Sequence, residues 1–258
     1  MMEFALDPTT WALLCLVAMV AGFIDAIAGG GGMLTVPALL TAGLPPHLTL
    51  GTNKLAASFG SITASFAYYR QQLFDPKFWA QSILATAIGA LLGTLLVDQL
   101  SIDFLNKLIP VVIIMVACYS LLGKLSPTDE HSLPIVSAAL RAKQWVQGLL
   151  LGFYDGLAGP GTGTFWTASN SLIYKMSLLL NCGLARSMNF VSNFISLITF
   201  VALGHVNFVL GISMGFFLMV GSWFGAQSAI KFGNKLIKPL FNTVVIILAA
   251  KLIYEAYW

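Results

Sequence analysis

The chain has 258 residues, 58% of them hydrophobic and only 9% charged, with a mean hydropathy of +0.86. This is more apolar surface than a soluble core can bury, so lipid must be the main solvent and no separate soluble domain is expected. The net charge of +3 comes from Lys and Arg scattered among connectors, which excludes the basic, aromatic-interleaved face of a nucleic-acid binder.

In chain order, apolar segments fall at 11–28, 34–43, 47–69, 78–97 and 104–122, and a second set at 144–158, 164–175, 181–203, 208–229 and 239–256. The longest are long enough to cross a hydrocarbon core of about 30 Å. The opening residues, MMEFALDPTT, contain two acids and no Lys or Arg, so the run from Trp11 lacks the basic flank of a signal peptide and is expected to be retained. The longest polar stretch, 123–134, falls at the centre and reads as a joint between halves. Cys15, Cys118 and Cys182 lie inside apolar segments without metal-ligand spacing and read as packing residues. Neither a metal site nor a cofactor is expected.

The two sets of segments match in order and length, and in each the first two are short and separated by a glycine cluster. The run GFIDAIAGGG from Gly22 aligns with GFYDGLAGPG from Gly152 at six of ten positions without gaps. A shift of two residues then pairs Gly51 with Gly183, Lys54 with Arg186, Gly89 with Gly221 and Gly93 with Gly225, as an internal duplication requires. Basic residues near span ends stay on the cytoplasmic side. Arg70 and Lys77, then Lys124, Arg141 and Lys143, then Lys175, then Lys231, Lys235 and Lys238 mark inside connectors, whereas 98–103 and 204–207 carry no Lys or Arg. These fit only if each glycine-interrupted pair enters and leaves on one side. The expected fold is therefore an all-α integral membrane protein, a polytopic helical bundle of two inverted repeats. Each repeat is a glycine-broken helical hairpin plus three spanning helices. The first occupies 1–123 and the second 144–258, joined by a cytoplasmic linker at 124–143, with both termini outside.

The candidate site lies at the glycine clusters. Gly29, Gly30, Gly31 and Gly32 cannot continue a stable helix, nor can Gly159-Pro160-Gly161-Thr162-Gly163. Unwound backbone at membrane depth is tolerated only against protein or a wet cavity. A short helix is expected to restart beyond each turn, with Thr35 and Thr164 as N-caps and with free amides and a positive dipole end suited to an anion. The competing reading is that these glycines only allow close helix packing. Asp25 and Asp155 sit one turn before the clusters, near a helix C-terminus where dipole and burial both disfavour negative charge. They read either as proton-coupling carboxylates or as structural partners of Lys54 and Arg186 across the repeat interface. Lys54 and Arg186 either snorkel to the surface or serve as counter-charges. Their polar neighbours, including Asn53, Ser58 and Ser61 in one helix and Ser192, Asn189 and Asn193 in the other, are costly against lipid and should face inward. A hydrogen-bonded helix seam would account for the same polarity. His47, His131 and His205 read as solvated, and Trp11, Trp79, Trp145 and Trp258 as interface-belt aromatics. No nucleophile elbow, zinc-binding His-Glu helix or phosphate loop is present.

GFIDAIAGGGGMLTVPALL followed by TNKLAAS, with GFYDGLAGPGTGTF in the second half, resembles the TauE/SafE sulfite-exporter-like family, also called the toluene-sulfonate uptake permease family, in its YfcA-like branch. The resemblance covers essentially the full chain. It implies a multi-pass permease of the bacterial inner membrane that moves sulfite, sulfonates or related organosulfur anions, in some members with proton-linked movement. The family's first motif falls on Gly22, Asp25 and Gly29 to Gly32, its second on Gly152, Asp155, Gly159 and Gly161, and its Asn-Lys pair on Asn53 and Lys54. Arg186 stands where related proteins often have Lys, which preserves charge and changes geometry. The expected substrate contacts are Gly29 to Gly32, Thr35, Asn53, Lys54, Gly159, Gly161, Thr162, Thr164, Arg186, Asn189 and Asn193. The expected partners are a small anion, protons and the bilayer, with a homodimer left open. A passive anion channel is the main alternative to a secondary transporter, and a membrane-embedded enzyme a lesser one.

Overall fold

Helix starts are set by local capping. The Asp7 carboxylate accepts from the Thr9 and Thr10 amides, and Pro8 occupies the first turn, where a missing N–H costs nothing. Ser137, Ser177 and Asn207 cap three later helices in the same way. In the computed structural model, which describes residues 6–109, 111, 115, 133–233 and 235–237, eight long helices follow in order. They are α1 (Pro8–Ala28), α2 (Gly32–Thr41), α3 (Pro46–Arg70), α4 (Ala80–Asp98), α5 (Ala138–Leu157), α6 (Thr162–Ile173), α7 (Leu178–Ala202) and α8 (Phe208–Phe232). Residues 102–109 are also helical. The segments expected at 239–256 and over most of 104–122 lie outside the described residues, as do Cys118, Lys124, His131, Lys238, Trp258 and most of the central joint.

The chain is a helical membrane protein. By length and composition α1, α4, α7 and α8 can each cross a membrane. Their outward faces are apolar, with Leu84, Leu92 and Leu95 exposed on α4 and Val209, Phe216 and Phe224 on α8. At 25 residues α3 is long enough too, about 37 Å at 1.5 Å per residue. Its apolarity is diluted by buried Thr49, Thr52, Asn53, Lys54, Ser58 and Ser61.

Two helix pairs share one packing solution. Gly89 and Gly93 of α4 lie against the Leu149 and Phe153 backbone of α5, while Gly221 and Gly225 of α8 lie against the Met19 and Phe23 backbone of α1, so close that an added methyl would overlap. Within each pair the helices run parallel, and glycine at four-residue spacing permits the approach. The sequence-equivalent positions are thus packed alike, with the first helix of each half held by the fourth of the other. At one end of the bundle lie the starts of α1, α3 and α8. At the opposite end lie the starts of α4, α5 and α7. Phe200 and Leu50 of one such end pack with Val97 and Leu105, and Ala67, Tyr68 and Leu178 pack with Ala26 and Ala226 toward the other.

Several expectations need correction. The first helix of each hairpin is not short: α1 has 21 residues and α5 has 20. α5 begins at Ala138, six residues before the apolar run, because Arg141 and Lys143 are good helix formers and Ser137 caps them. Thr35 and Thr164 are not N-caps. α2 is capped by Gly31 and α6 by Gly161. Only Gly29 and Gly30 of the first cluster leave helical geometry, at φ 79° and 116°, while Gly31 is already in the right-handed region. Trp79 is no belt residue: it is 1% exposed and packs edge-on against Tyr174. His47 and His205 are not simply solvated. Their rings stack at 5.1 Å, His47 Nε2 reaches the Val97 carbonyl and His205 Nε2 lies 2.8 Å from Asp98, which clasps the starts of α3 and α8 to the end of α4.

Candidate functional site

The two hairpins meet tip to tip inside the bundle. Gly29 (φ 79°) and Gly159 (φ 86°) turn the chain out of α1 and α5 in a conformation that L side chains resist. The approach is as demanding as the turn, since a methyl at Gly29 would overlap the Gly163–Thr164 backbone. Thr164 Oγ1 donates to the Gly29 carbonyl at 3.1 Å, tying one tip to the other.

Four charges are gathered at this junction. Lys54, 2% exposed, donates from Nζ to Asp155 Oδ1 at 2.8 Å and to Asn193 Oδ1 at 3.1 Å. Asp155 also accepts from the Thr162 hydroxyl at 2.9 Å and from Ser192. Arg186 is fully buried. Its Nη1 donates to the main-chain carbonyl of Asp25 and its Nη2 to that of Gly163 at 2.9 Å, with the Asp25 carboxylate 3.6 Å away. The Asp25 carbonyl already accepts from the Gly29 amide at 3.1 Å, and the guanidinium fork reaches it and the facing Gly163 carbonyl together. Asp25 Oδ1 accepts from the Gly30 and Gly31 amides at 3.1 and 3.0 Å, and Oδ2 from Asn189 at 3.3 Å. Each ion pair thus joins a cation from one half to a carboxylate from the other.

Lys54, Asp25, Asp155, Asn53, Asn189 and Asn193 border a shared central cavity with the tip residues Gly30, Gly31, Gly32, Gly159, Gly161 and Thr162. About 20 Å³ of it is open to water centres, room for roughly one water. Thr35 also borders it and donates to Asn53 Oδ1 at 2.6 Å. Three expected contacts do not border it: Gly29 and Thr164 form the tip-to-tip joint, and Arg186 lies behind them. Lys54 and Arg186 do not snorkel. The sequence reading turned Ser192 inward and put Gly163 in the second glycine cluster without assigning either to the site, and it missed Ala57 and Leu218. Ser192 had a visible signal, because it lies one helical turn after Asn189 and beside Asn193 in a polar stretch of α7, whereas Ala57 and Leu218 carry none.

Chemically, the junction presents donors to negative charge: an ammonium, two backbone amides at the start of α2, two Asn amides and hydroxyls. In this conformation the protein's own carboxylates occupy the ammonium, the two backbone amides, the Asn189 amide and the Thr162 and Ser192 hydroxyls. Both carboxylates, if ionised, balance both cations, so the junction carries no net charge. Among the described residues no group of three His, Cys, Asp or Glu could hold a metal ion.

A helical membrane protein with a buried, charge-balanced centre at broken helices has the construction of a transporter. The sulfite exporter TauE/SafE family matches residues 14–252, and the chain belongs to that family. It is similar to the probable membrane transporter protein ORF9 of Sinorhizobium sp, 38% identical over 95% of this chain and 92% of that protein. It is also similar to the probable membrane transporter protein YfcA of Escherichia coli K12, 35% identical over 98% of this chain and 93% of that protein. A probable membrane transporter protein of Haemophilus influenzae is 35% identical over 96% of each chain. No solved structure matches. The family is one of transporters, not of enzymes.

Proposed function

We propose that this protein is a secondary transporter of the bacterial inner membrane that carries a small anion, namely sulfite, a sulfonate or another organosulfur compound, by proton-coupled alternating access. One observation carries the reading: the donors best suited to an anion, Lys54 and the Gly30 and Gly31 amides, are buried together and held by Asp155 and Asp25. An anion binds by replacing these carboxylates. A displaced carboxylate, buried and without its cation, takes a proton. Anion and proton then move together. Lys54 is the counter-charge of the solute, assisted by Asn53, Asn189, Asn193, Thr35 and Thr162. Arg186, committed to two main-chain carbonyls, positions the hairpin tips, with Gly29 and Thr164 forming the joint they turn on.

The cargo class comes from the family's description as sulfite exporters. The architecture proposed is two inverted repeats, 1–123 and 144–258, joined by a cytoplasmic linker at 124–143, with both termini outside. Parallel pairing of α1 with α8 and of α4 with α5 from opposite ends supports it, because equivalent helices then run in opposite directions. The exchange of charged partners between halves supports it as well. Proteoliposomes containing the protein, offered sulfite, thiosulfate, sulfoacetate, taurine and non-sulfur carboxylates under an imposed proton gradient, test the proposal. Uphill accumulation of a sulfur anion is expected. Downhill flux alone would make the protein a passive anion channel.

A further inference from the structure

The two hairpins are built alike but filled differently. Between α1, α2 and α3 the packing is apolar, with Leu14, Ala18, Leu39, Leu44 and Ala56 in one cluster. At the corresponding place in the second half an apolar cluster that includes Leu140, Trp166, Leu184 and Met188 is accompanied by a row of amides and hydroxyls between α5, α6 and α7. Gln147 Nε2 donates to Asn170 Oδ1 at 2.8 Å and to Ser169 Oγ at 2.7 Å. Asn170 Nδ2 donates to the Asn181 carbonyl, and Asn181 Nδ2 to Ser171 Oγ at 2.9 Å. The Ser171 hydroxyl in turn donates to the Thr167 carbonyl, and the Thr167 hydroxyl lies 3.5 Å from Arg186 Nη2. A continuous polar seam therefore runs from behind the central junction along α6. It continues one turn up α5 to Gln144, which reaches the Phe78 carbonyl. Around that end stand exposed Lys77, Arg141, Lys143 and Lys175.

The seam is buried except at half-buried Ser169, and it is incompletely satisfied. Among the described residues Gln147 Oε1 and Asn181 Oδ1 find no hydrogen-bond partner, although Gln147 is 5% and Asn181 0% exposed. Leaving such groups unpaired is costly, and an apolar filling like that of the first hairpin avoids the cost. Separating α6 from α5 and α7 would expose amides and hydroxyls that water can satisfy, whereas separating α2 from α1 and α3 would expose aliphatic surface. The second hairpin thus offers a polar path beside its apolar cluster, and the aliphatic cluster of the first offers none.

We infer that this seam is the gate on the basic end of the protein, and that the solute anion passes along Thr167, Ser171, Asn181 and Gln147 between the central junction and the ring of Lys and Arg. The inference rests on the transporter reading above and deepens it. The seam carries no formal charge of its own, so it does not trap an anion. The basic ring raises the local anion concentration at its mouth. The first hairpin stays shut until its apolar packing is parted.

Thiol labelling separates this inference from the reading it rests on, because it needs no transport. Ser171→Cys is nearly isosteric, and Leu39→Cys reports on the apolar hairpin. In vesicles exposing the basic end, Ser171→Cys should react with a sulfonate-bearing methanethiosulfonate at least about tenfold faster than with its quaternary-ammonium counterpart. It should also react faster than the parent chain, whose own Cys15, Cys118 and Cys182 set the baseline. Leu39→Cys should stay at that baseline. Asn181→Leu and Gln147→Leu should each slow anion flux at least about tenfold while the solute's Kd stays within about twofold, since a gate sets the rate rather than the site's affinity. A Ser171→Cys thiol no more reactive than the baseline, or one favouring the cationic reagent, would overturn the gate even if proton-driven uptake is present. Flux lost only in step with affinity would do the same.

Discussion

Lys54 and Asp155 are each about 98–99% buried and satisfied chiefly by one another, so the cost of breaking them differs sharply from the cost of replacing them. Lys54→Met leaves a buried carboxylate without its cation and should lower stability by about 3–5 kcal/mol. Adding Asp155→Leu to it should recover most of that loss and none of the transport. Thermal unfolding in detergent, read beside uptake, checks both. Glycine offers a second contrast. Gly29 and Gly204 share a positive φ, 79° and 78°, but among the described residues nothing lies within 4 Å of a methyl at Gly204, while one at Gly29 overlaps the opposing tip. Gly204→Ala should therefore show only the conformational cost of about 1–2 kcal/mol, and Gly29→Ala distinctly more. Equal losses would mean that the hairpin tips are not packed as described. Most of the charged centre was legible in the sequence, because four charges and two glycine clusters inside apolar segments are hard to read any other way. The bonding of Arg186 to carbonyls was not, since main-chain partners leave no mark on composition.

At the scale of elements, hydropathy located the helices to within a few residues except where charge and helix propensity disagree. The start of α5 is such a place: Arg141 and Lys143 end an apolar window but extend a helix. The tips are another, because four glycines in a row suggest one long break when the amides of the Gly30–Gly31 turn, fixed by Asp25, allow α2 to begin at Gly32. The two-residue shift in the repeat register falls in the short helices, α2 having 10 residues and α6 having 12, with four-residue connectors following each. Capping makes a pH-dependent prediction at the start of α1. The Thr10 hydroxyl and the amides of Thr10 and Thr9 hold the Asp7 carboxyl below its ordinary value of 3.8. A carboxyl depressed in the folded state stabilises it above the unfolded value and stops doing so as pH falls through the folded one. Protection of the Thr9 and Thr10 amides from hydrogen exchange should accordingly be present at neutral pH, diminish below about pH 4, and be absent at every pH in Asp7→Ala.

Taken whole, the molecule is held by exchange: α1 packs on α8, α4 on α5, Lys54 on Asp155 and Arg186 on Asp25, each contact joining the two halves. Neither half has a complete site alone, so a movement of one against the other changes the centre first. The proposed inversion predicts that cysteines engineered at the two termini are labelled from the same face of the membrane; labelling from opposite faces would end that topology. Duplication and basic-residue placement are the sequence grounds for the proposed inversion, whereas the parallel pairing of helices from opposite ends emerges only from contacts between distant glycines and backbone. The account's central claim is that a solute anion replaces the protein's own carboxylates at Lys54 and the α2 amides. Its most direct test is proton exchange on binding, followed with a pH-indicator dye in weakly buffered detergent solution as a transported sulfur anion is added. The account predicts net proton uptake as the anion binds, reduced in Asp155→Asn and in Asp25→Asn. Binding of the anion to the wild-type protein with no proton taken up would contradict it.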